Sequence, residues 1–256
     1  MIFSLVEMSK IKYRMNYKQH LEHPIFDIIS KAAQELNLEC YVIGGFVRDI
    51  LLERDHKKDI DIVAVGSGIE LALKVSELIP FHPKVQVFKN YGTAMLRYDD
   101  IDVEFVGARK ESYSHDSRNP LVENGTLKDD QERRDLTINA LAFSLNSENF
   151  GDLLDPFNGV SDLENKIIKT PLNPDITYSD DPLRMMRAIR FATQLNFQIE
   201  AESLEAISRN KERISIISGE RIVDELHKIL ASEKPSVGFI LLYKTGLLDI
   251  ILPELT

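Results

Sequence analysis

The chain has 256 residues, of which 43% are hydrophobic and 28% are charged, and these values are typical of a globular protein with one large or two smaller domains. Its formal net charge of −10 argues against a protein that coats nucleic acid non-specifically. The single Cys40 excludes an internal disulfide and a cysteine-based zinc site and favours a reducing, cytoplasmic compartment. No apolar run approaches the roughly 18 residues of a membrane span, and the N-terminal segment lacks a signal-peptide cleavage pattern.

The first 155 residues predict short strands that alternate with helices. Apolar residues at helical spacing predict helices over residues 24–37, 46–53 and 69–78. β-type runs predict strands, the last three consecutive and antiparallel, over residues 41–43, 60–65, 84–88, 93–98 and 101–106. The polar segment 109–131 predicts a long loop that is mobile without substrate, and residues 136–145 predict a helix.

After the turn at residues 155–159, nearly every segment has a helical pattern. Helices are predicted over residues 181–195, 200–209, 220–231 and 235–245. The sequence therefore predicts an α+β fold with two domains: a head over 1–155, built from a small mixed sheet with helices, and an all-helical neck over 156–256. Because the sequence stops directly after a helix, we expect a further domain of the full-length protein to be missing from it.

Asp59 and Asp61 are the strongest candidates for chemistry. Strand alternation places them on one face, while Ile60 and Ile62 enter the core. Adjacent carboxylates repel each other and are tolerated where a divalent cation lies between them, and oxygen ligands favour Mg²⁺. The alternative is an ordinary exposed strand end.

A glycine pair precedes these acids. Gly44 and Gly45 allow the backbone to approach phosphate oxygens closely, and Arg48 and Asp49 follow on the next predicted helix. The alternative is a plain turn.

A third carboxylate is predicted on a neighbouring strand. Alternation over residues 101–105 puts Asp102 and Glu104 on one face, and we favour Glu104 as the acid that completes a two-metal catalytic site with Asp59 and Asp61.

Arg133 and Arg134 lie at the start of the helix predicted over 136–145. The helix dipole disfavours cations there, so this placement indicates an anionic partner, such as a triphosphate, or pairing with Asp135. Asn139, one turn further, can reach a ribose or a phosphate. The alternative is a solvated charged helix cap.

A second basic cluster opens the neck. Pro182 suits the first turn of a helix, and Asp181 and Arg184, three residues apart, offer an acceptor and donors that can pair with a nucleobase. Arg187 and Arg190 continue along that flank as anion contacts. The alternative is helix capping with ordinary surface pairs.

These motifs, in this order from Tyr41 to Leu230, resemble the class II tRNA nucleotidyltransferase (CCA-adding enzyme) and bacterial poly(A) polymerase family, within the polymerase-β-like nucleotidyltransferases. The resemblance implies that Asp59 and Asp61 hold two catalytic Mg²⁺ ions. It implies that the other motif residues bind nucleotide: Gly44, Gly45, Arg48 and Asp49 around the triphosphate, Arg134 and Asn139 beside the nucleotide, and Asp181 and Arg184 as an amino-acid template for the base.

The activity implied by this resemblance is template-independent addition of CCA to tRNA 3′ ends, with CTP and ATP as substrates and release of pyrophosphate. Poly(A) polymerase, CC-only addition and A-only addition share the same motifs. A non-catalytic RNA- or nucleotide-binding module and a transferase acting on a small hydroxyl compound remain alternatives. The sequence leaves the oligomeric state open.

Overall fold

The computed structural model describes residues 16–54, 59–114 and 117–255; residues 1–15, residues 55–58, residues 115–116 and Thr256 lie outside this part. Contacts separate two compact units. The first contains the chain up to Gly107 together with Leu141–Asp155, and the second contains Ala108–Ala140 together with the chain from Pro156 onwards. The segment 108–140, which the sequence assigned to the head, therefore packs within the second unit.

The helices and strands alternate along most of the chain. The strands are β1 Glu39–Ile43, β2 Asp59–Val65, β3 Gln86–Phe88, β4 Thr93–Tyr98, β5 Ile101–Gly107, β6 Arg109–Ser114, β7 Ser117–Asn124, β8 Ala142–Ser144, β9 Leu153–Leu154, β10 Ile167–Ile168 and β11 Gln198–Ile199. The helices are α1 Pro24–Glu35, α2 Gly45–Leu51, α3 Gly68–Leu78, α4 Leu127–Glu132, α5 Gly159–Glu164, α6 Pro174–Asp180, α7 Leu183–Leu195, α8 Ala201–Asn210, α9 Gly219–Leu230, α10 Pro235–Thr245 and α11 Leu248–Ile251. In the described residues, no helix has the length and apolar character needed to cross a membrane.

The first unit is built on a seven-stranded mixed sheet with the order β3-β4-β5-β2-β1-β8-β9. Strands β2 and β5 run parallel, and the other neighbours are antiparallel. Helix α3 packs on one face against β2, β4 and β5. Ile62, Val103 and Phe105 are fully buried. This alternation leaves the intervening residues of β2 and β5 on the opposite face.

The second unit combines helices with two small strand pairs. Helix α7 packs against α9 and α10, and α6 packs against α8. Strands β6 and β7 form an antiparallel hairpin, while β10 and β11 form a two-residue parallel pair. The α+β class predicted from sequence is confirmed, and the helices predicted from residue 181 onwards correspond to α7–α10. The neck is not all-helical, because β10 and β11 lie within it.

The prediction of a structureless loop over 109–131 was wrong. Strands β6 and β7 form a hairpin and α4 follows. Helix α4 begins at a capping box, in which the Thr126 hydroxyl accepts a hydrogen bond from the Asp129 amide and the Asp129 carboxylate accepts one from the Thr126 amide. Polar composition concealed both elements, because the backbone pairing of a hairpin and the capping of a short helix do not require a periodic apolar pattern.

The prediction of a helix over residues 136–145 was also wrong. This segment forms a single 3₁₀ turn, Thr137–Asn139, followed by strand β8. Leu136, Ile138, Leu141 and Phe143 are all fully buried. A segment that is buried on every side shows no periodicity that separates a helix from a strand, so pairing with β1 decides the conformation of β8.

Candidate active site

The two aspartates of β2 face the two acids of β5. In the parallel register, Asp59 lies opposite Asp102 and Asp61 lies opposite Glu104. Asp59 and Glu104 are exposed and Asp61 is half-buried, whereas Ile60 between the aspartates is 2% exposed. Because in-register neighbours share a face of the sheet, all four carboxylates lie on one side, which we call the carboxylate face.

The two acids of β5 differ in their surroundings. Asp102 faces a cation, with 3.7 Å between its Oδ1 and Nη1 of Arg97 on β4. Glu104 lies directly between Met95 of β4 and Asp61 of β2. Within the described residues, no group of three or more His, Cys, Asp or Glu side chains forms a preassembled metal cluster. The donor set nevertheless consists of carboxylate oxygens, which suits Mg²⁺.

The glycine turn at Gly44 and Gly45 directly follows the last residue of β1. Because β1 and β2 are antiparallel, this end of β1 lies beside the start of β2, where Ile43 is paired with Asp61. Gly44 has φ +85° and ψ −135°, a conformation that strongly favours glycine, and its N–H donates to the Leu141 carbonyl at 3.2 Å. Arg48 and Asp49 of α2 are each 5% exposed and form a two-pronged ion pair, with Nε–Oδ1 at 2.9 Å and Nη2–Oδ2 at 3.0 Å. Asp49 thus holds the guanidinium of its neighbour.

In the second unit, α4 ends immediately before Arg133 and Arg134. Both arginines donate to the carboxylate of Asp130, which is 0% exposed. The sequence argument about dipole repulsion is therefore wrong for this pair, because the arginines lie at a helix C-terminus, where cations are favoured.

Asp135 is a buried carboxylate that accepts hydrogen bonds from two side chains around it. It accepts hydrogen bonds from Arg187 Nε at 2.7 Å and Asn139 Nδ2 at 3.2 Å. Burial acts to raise the pKa of Asp135, but the charge and hydrogen bond of Arg187, the Asn139 hydrogen bond and the charge of Arg184 outweigh it and lower the pKa to about 2. Asn139 is 6% exposed, and its carbonyl accepts from Arg134 Nη1 at 3.4 Å.

The junction between α6 and α7 positions Asp181 and Arg184. The Asp181 carboxylate accepts from the Leu183 amide at 3.2 Å and lies 3.6 Å from Nη2 of Arg221 on α9. Arg184 is buried and donates through Nη2 to the Arg133 carbonyl at 2.7 Å.

These side chains enclose a cavity of about 270 Å³, which we call the arginine pocket. It is lined by Arg133, Arg134, Asp135, Asp181, Leu183, Arg184, Arg187 and Arg221. Five arginines against two aspartates make the lining positive, although the whole chain carries −10. Such a pocket suits an anion, and Asp181 adds an acceptor at its edge.

Arg190 has a different environment. Its Nε lies 2.7 Å from Glu225 Oε2 in a buried ion pair, and its guanidinium lies 4.1 Å from the centre of the Phe191 ring. It does not line the arginine pocket. The structure therefore brings together Arg134, Asp181, Arg184 and Arg187 and leaves Arg190 outside the lining.

Sequence analysis did not single out Asp130. The detectable signal was its spacing, three residues before Arg133 and four before Arg134, because such pairs are neighbours on a helix. Interpreting the segment as a loop concealed that signal.

Two family descriptions match the chain. "Poly A polymerase head domain" matches residues 40–169, about half of the chain. "Probable RNA and SrmB- binding site of polymerase A" matches residues 196–256. The first match contains the carboxylate face and the glycine turn as well as residues 133–139.

Known relatives include two kinds of enzyme. The chain is 35% identical over 257 residues to an A-adding tRNA nucleotidyltransferase of Geobacter sulfurreducens, covering 98% of this chain and 28% of that one. It is 37% identical over 223 residues to a CCA-adding enzyme of Lactobacillus johnsonii, covering 86% of this chain and 53% of that one. The chain thus spans about a quarter to a half of the length of these curated relatives.

A solved structure shares the fold. The complex of a CCA-adding enzyme with ATP superimposes with a TM-score of 0.80 at 30% identity, covering 93% of this chain and 56% of that chain.

Proposed function

The chain belongs to the family of the poly A polymerase head domain, and from this premise we propose that it is the nucleotidyltransferase part of an enzyme that adds CCA to tRNA 3′ ends from CTP and ATP. In this reaction the 3′-hydroxyl oxygen of the RNA attacks the α-phosphorus of the nucleotide in line. A new phosphodiester bond forms, the α–β phosphoanhydride bond breaks, the hydroxyl proton is lost and pyrophosphate leaves.

The observation that carries the proposal is the pairing of Asp59 with Asp102 and of Asp61 with Glu104 across β2 and β5. Four carboxylates on one sheet face repel one another, and a divalent cation between them relieves this repulsion. Asp59, Asp61 and Glu104 are the residues that would hold two Mg²⁺ ions. The ions, when bound, neutralise phosphate charge and favour ionisation of the attacking hydroxyl.

The arginine pocket is proposed to bind the incoming nucleotide. Arg134, Arg184 and Arg187 supply fixed donors for its phosphate and ribose oxygens. Asp181 is proposed to accept a hydrogen bond from the amino group that cytosine and adenine share, with Arg184 as the donor beside it. In this scheme the protein selects bases without a nucleic-acid template. Gly44, Gly45 and the Arg48–Asp49 pair are proposed to contact the triphosphate.

The test uses a tRNA transcript that ends before its CCA sequence, with labelled CTP and ATP supplied separately and together. We expect C incorporation followed by A incorporation, both dependent on Mg²⁺. Labelled ATP entering unrelated RNA as a long tail would instead establish poly(A) polymerase activity. Nucleotide binding without incorporation would establish a non-catalytic binding module.

A-only addition is the second candidate, and the A-adding relative from Geobacter sulfurreducens favours it. The same assay separates the two functions. An A-only enzyme extends a tRNA that already ends in CC, and it leaves the substrate without CC unchanged.

A further inference from the structure

We propose that Asp130 is a positioning residue of the arginine pocket, whose buried carboxylate fixes the directions in which Arg133 and Arg134 present their guanidinium groups to the phosphates of a nucleotide. Asp130 does not line the pocket itself. The inference rests on the proposed function, because it identifies what organises the proposed nucleotide pocket.

The hydrogen bonds of Asp130 divide evenly between the two arginines. Oδ1 accepts from Arg133 Nε at 2.8 Å and also from Arg133 Nη2. Oδ2 accepts from Arg134 Nε at 3.2 Å and Nη2 at 3.1 Å. Each guanidinium is planar and donates two N–H groups to one oxygen, so both its direction and its rotation are fixed.

The burial of Asp130 argues that this arrangement serves more than stability. A carboxylate that is 0% exposed loses its hydration, and an ion pair recovers this cost only with excellent geometry. The contacts still leave donors for a ligand. The bonds from Arg134 to Asp130 and to the Asn139 carbonyl account for three of the five N–H donors of that guanidinium.

The influence of Asp130 extends to Arg184. The carbonyl of Arg133 accepts the 2.7 Å hydrogen bond from Arg184 Nη2, so the position of Arg133 also sets that of Arg184. Arg187 depends on a different carboxylate, Asp135. Asp130 therefore orients three of the five arginines of the pocket, directly or through one backbone carbonyl.

A double-mutant cycle tests this role through nucleotide affinity. The equilibrium Kd for CTP and for ATP is measured with Mg²⁺ and without RNA, for the unaltered chain, Asp130→Asn, Arg134→Gln and the double variant. We expect each single change to weaken binding about tenfold, which corresponds to about 1.4 kcal/mol. We expect the double variant to bind more weakly than either single variant but clearly less weakly than the hundredfold loss that two independent effects would give, because Asp130 acts partly through Arg134, which is already lost, and partly through Arg133, which is still present.

Asp129→Asn is the matched control. Asp129 belongs to the same helix, but its carboxylate accepts hydrogen bonds from the amide and the hydroxyl of Thr126 in the capping box at the opposite end of that helix. This change is expected to lower the melting temperature and to leave both Kd values unchanged. If Asp130→Asn fails to fold, Asp130→Glu replaces it, since this variant keeps the charge and displaces the guanidinium groups by one methylene. Asp130→Glu is then expected to weaken nucleotide binding by itself, and its effect is expected to be smaller when Arg134→Gln is already present.

The outcomes separate the two proposals. Unchanged affinity in a folded Asp130 variant, or losses that multiply to about a hundredfold in the double variant, would overturn the positioning role alone. An unaltered chain that binds neither CTP nor ATP would overturn the proposed function itself.

Discussion

Single carboxylates in this protein occur in two contrasting environments. Asp59 and Glu104 on the carboxylate face are exposed to solvent, whereas Asp130 and Asp135 are buried and paired with arginines. Exposed carboxylates contribute little to stability, while removal of a buried partner leaves uncompensated charge. Substitutions in the two groups should therefore have different consequences.

Asp61→Asn is expected to lower nucleotide incorporation at least about a thousandfold, the magnitude typical of a lost essential catalytic group. The fold should be retained, because Asp61 is only half-buried and asparagine has the same shape. Incorporation is measured with labelled nucleotides and folding by circular dichroism. Asp99→Asn is the control, since Asp99 is exposed in the β4–β5 turn with φ +53°, which asparagine tolerates. Activity of Asp61→Asn within tenfold of the unaltered chain would contradict the assignment.

Asp181→Ala is expected to impair the choice between CTP and ATP more than the overall rate, because it removes the proposed acceptor at the edge of the arginine pocket. Stability should change by no more than about 1 kcal/mol, since its pair with Arg221 is partly exposed. The ratio of kcat/KM for CTP and ATP is the measurement. An unaltered ratio would exclude the templating role.

Asp135 predicts a specific dependence of stability on acid. Its pKa in the folded protein is about 2, below the value of 3.8 for an unperturbed aspartate. As the pH falls, the Asp135 carboxylate is therefore protonated in the unfolded chain before it is protonated in the folded protein. The stabilisation from this group is complete above about pH 4 and is lost as the pH falls through 2. The contribution is about 2 kcal/mol. The measurement is the free energy of unfolding in urea between pH 2 and 7. We expect it to fall less steeply with decreasing pH in Asp135→Asn than in the unaltered chain. An equal dependence on pH in the two proteins would contradict this assignment.

Among the elements, the hairpin β6–β7 and helix α4 are held together at Gly125. Its N–H donates to the Ala108 carbonyl at 2.9 Å, and a Cβ at this position would lie 2.7 Å from the backbone carbon of Arg109. The Glu111 carboxylate of β6 lies 2.8 Å from Arg109 Nε and 3.4 Å from Arg133 Nη1. The hairpin is therefore connected to the end of α4 from which the arginines project.

Gly125→Ala is expected to destabilise the protein by about 1–3 kcal/mol, because backbone atoms rather than a flexible side chain must move. Urea denaturation measures the change. Gly219→Ala is the matched control, since Gly219 is the first residue of α9 and a Cβ there meets nothing within 4 Å. Equal effects of the two substitutions would contradict the close-approach argument.

For the whole molecule, charge is distributed unevenly. The chain carries −10, yet the lining of the arginine pocket is positive. The proposed function requires attraction for RNA phosphates, which local basic regions rather than the overall field would have to supply.

This distribution predicts a shallow salt dependence of tRNA binding by the 256-residue chain. Between 50 and 200 mM salt we expect affinity to fall about tenfold or less, compared with about 10³–10⁵ for proteins that neutralise six to ten phosphates. Filter binding with tRNA over this salt range provides the measurement. A loss of a thousandfold would show that extended basic surface contacts the RNA.

The sequence alone determined the elements whose residues alternate clearly. Asp59, Ile60, Asp61 and Ile62 have period-two polarity, so strand β2 could be predicted together with the exposure of its aspartates. Gly44 was recognisable because glycine tolerates the positive φ of that turn. The α+β class and the helices α7–α10 followed from helical periodicity in the same way.

Tertiary structure decided what has no local pattern. The parallel pairing of β2 with β5 brings Glu104 opposite Asp61 across more than forty residues of chain. The segment of strand β8 was predicted as a helix because it is buried on every side and has no strand periodicity. Its strand conformation is determined by pairing with β1. The roles of Asp130 and Asp135 depend on arginines whose orientation only packing sets. Periodicity records which faces of an element are buried, whereas the partners of a buried charge depend on contacts between distant segments.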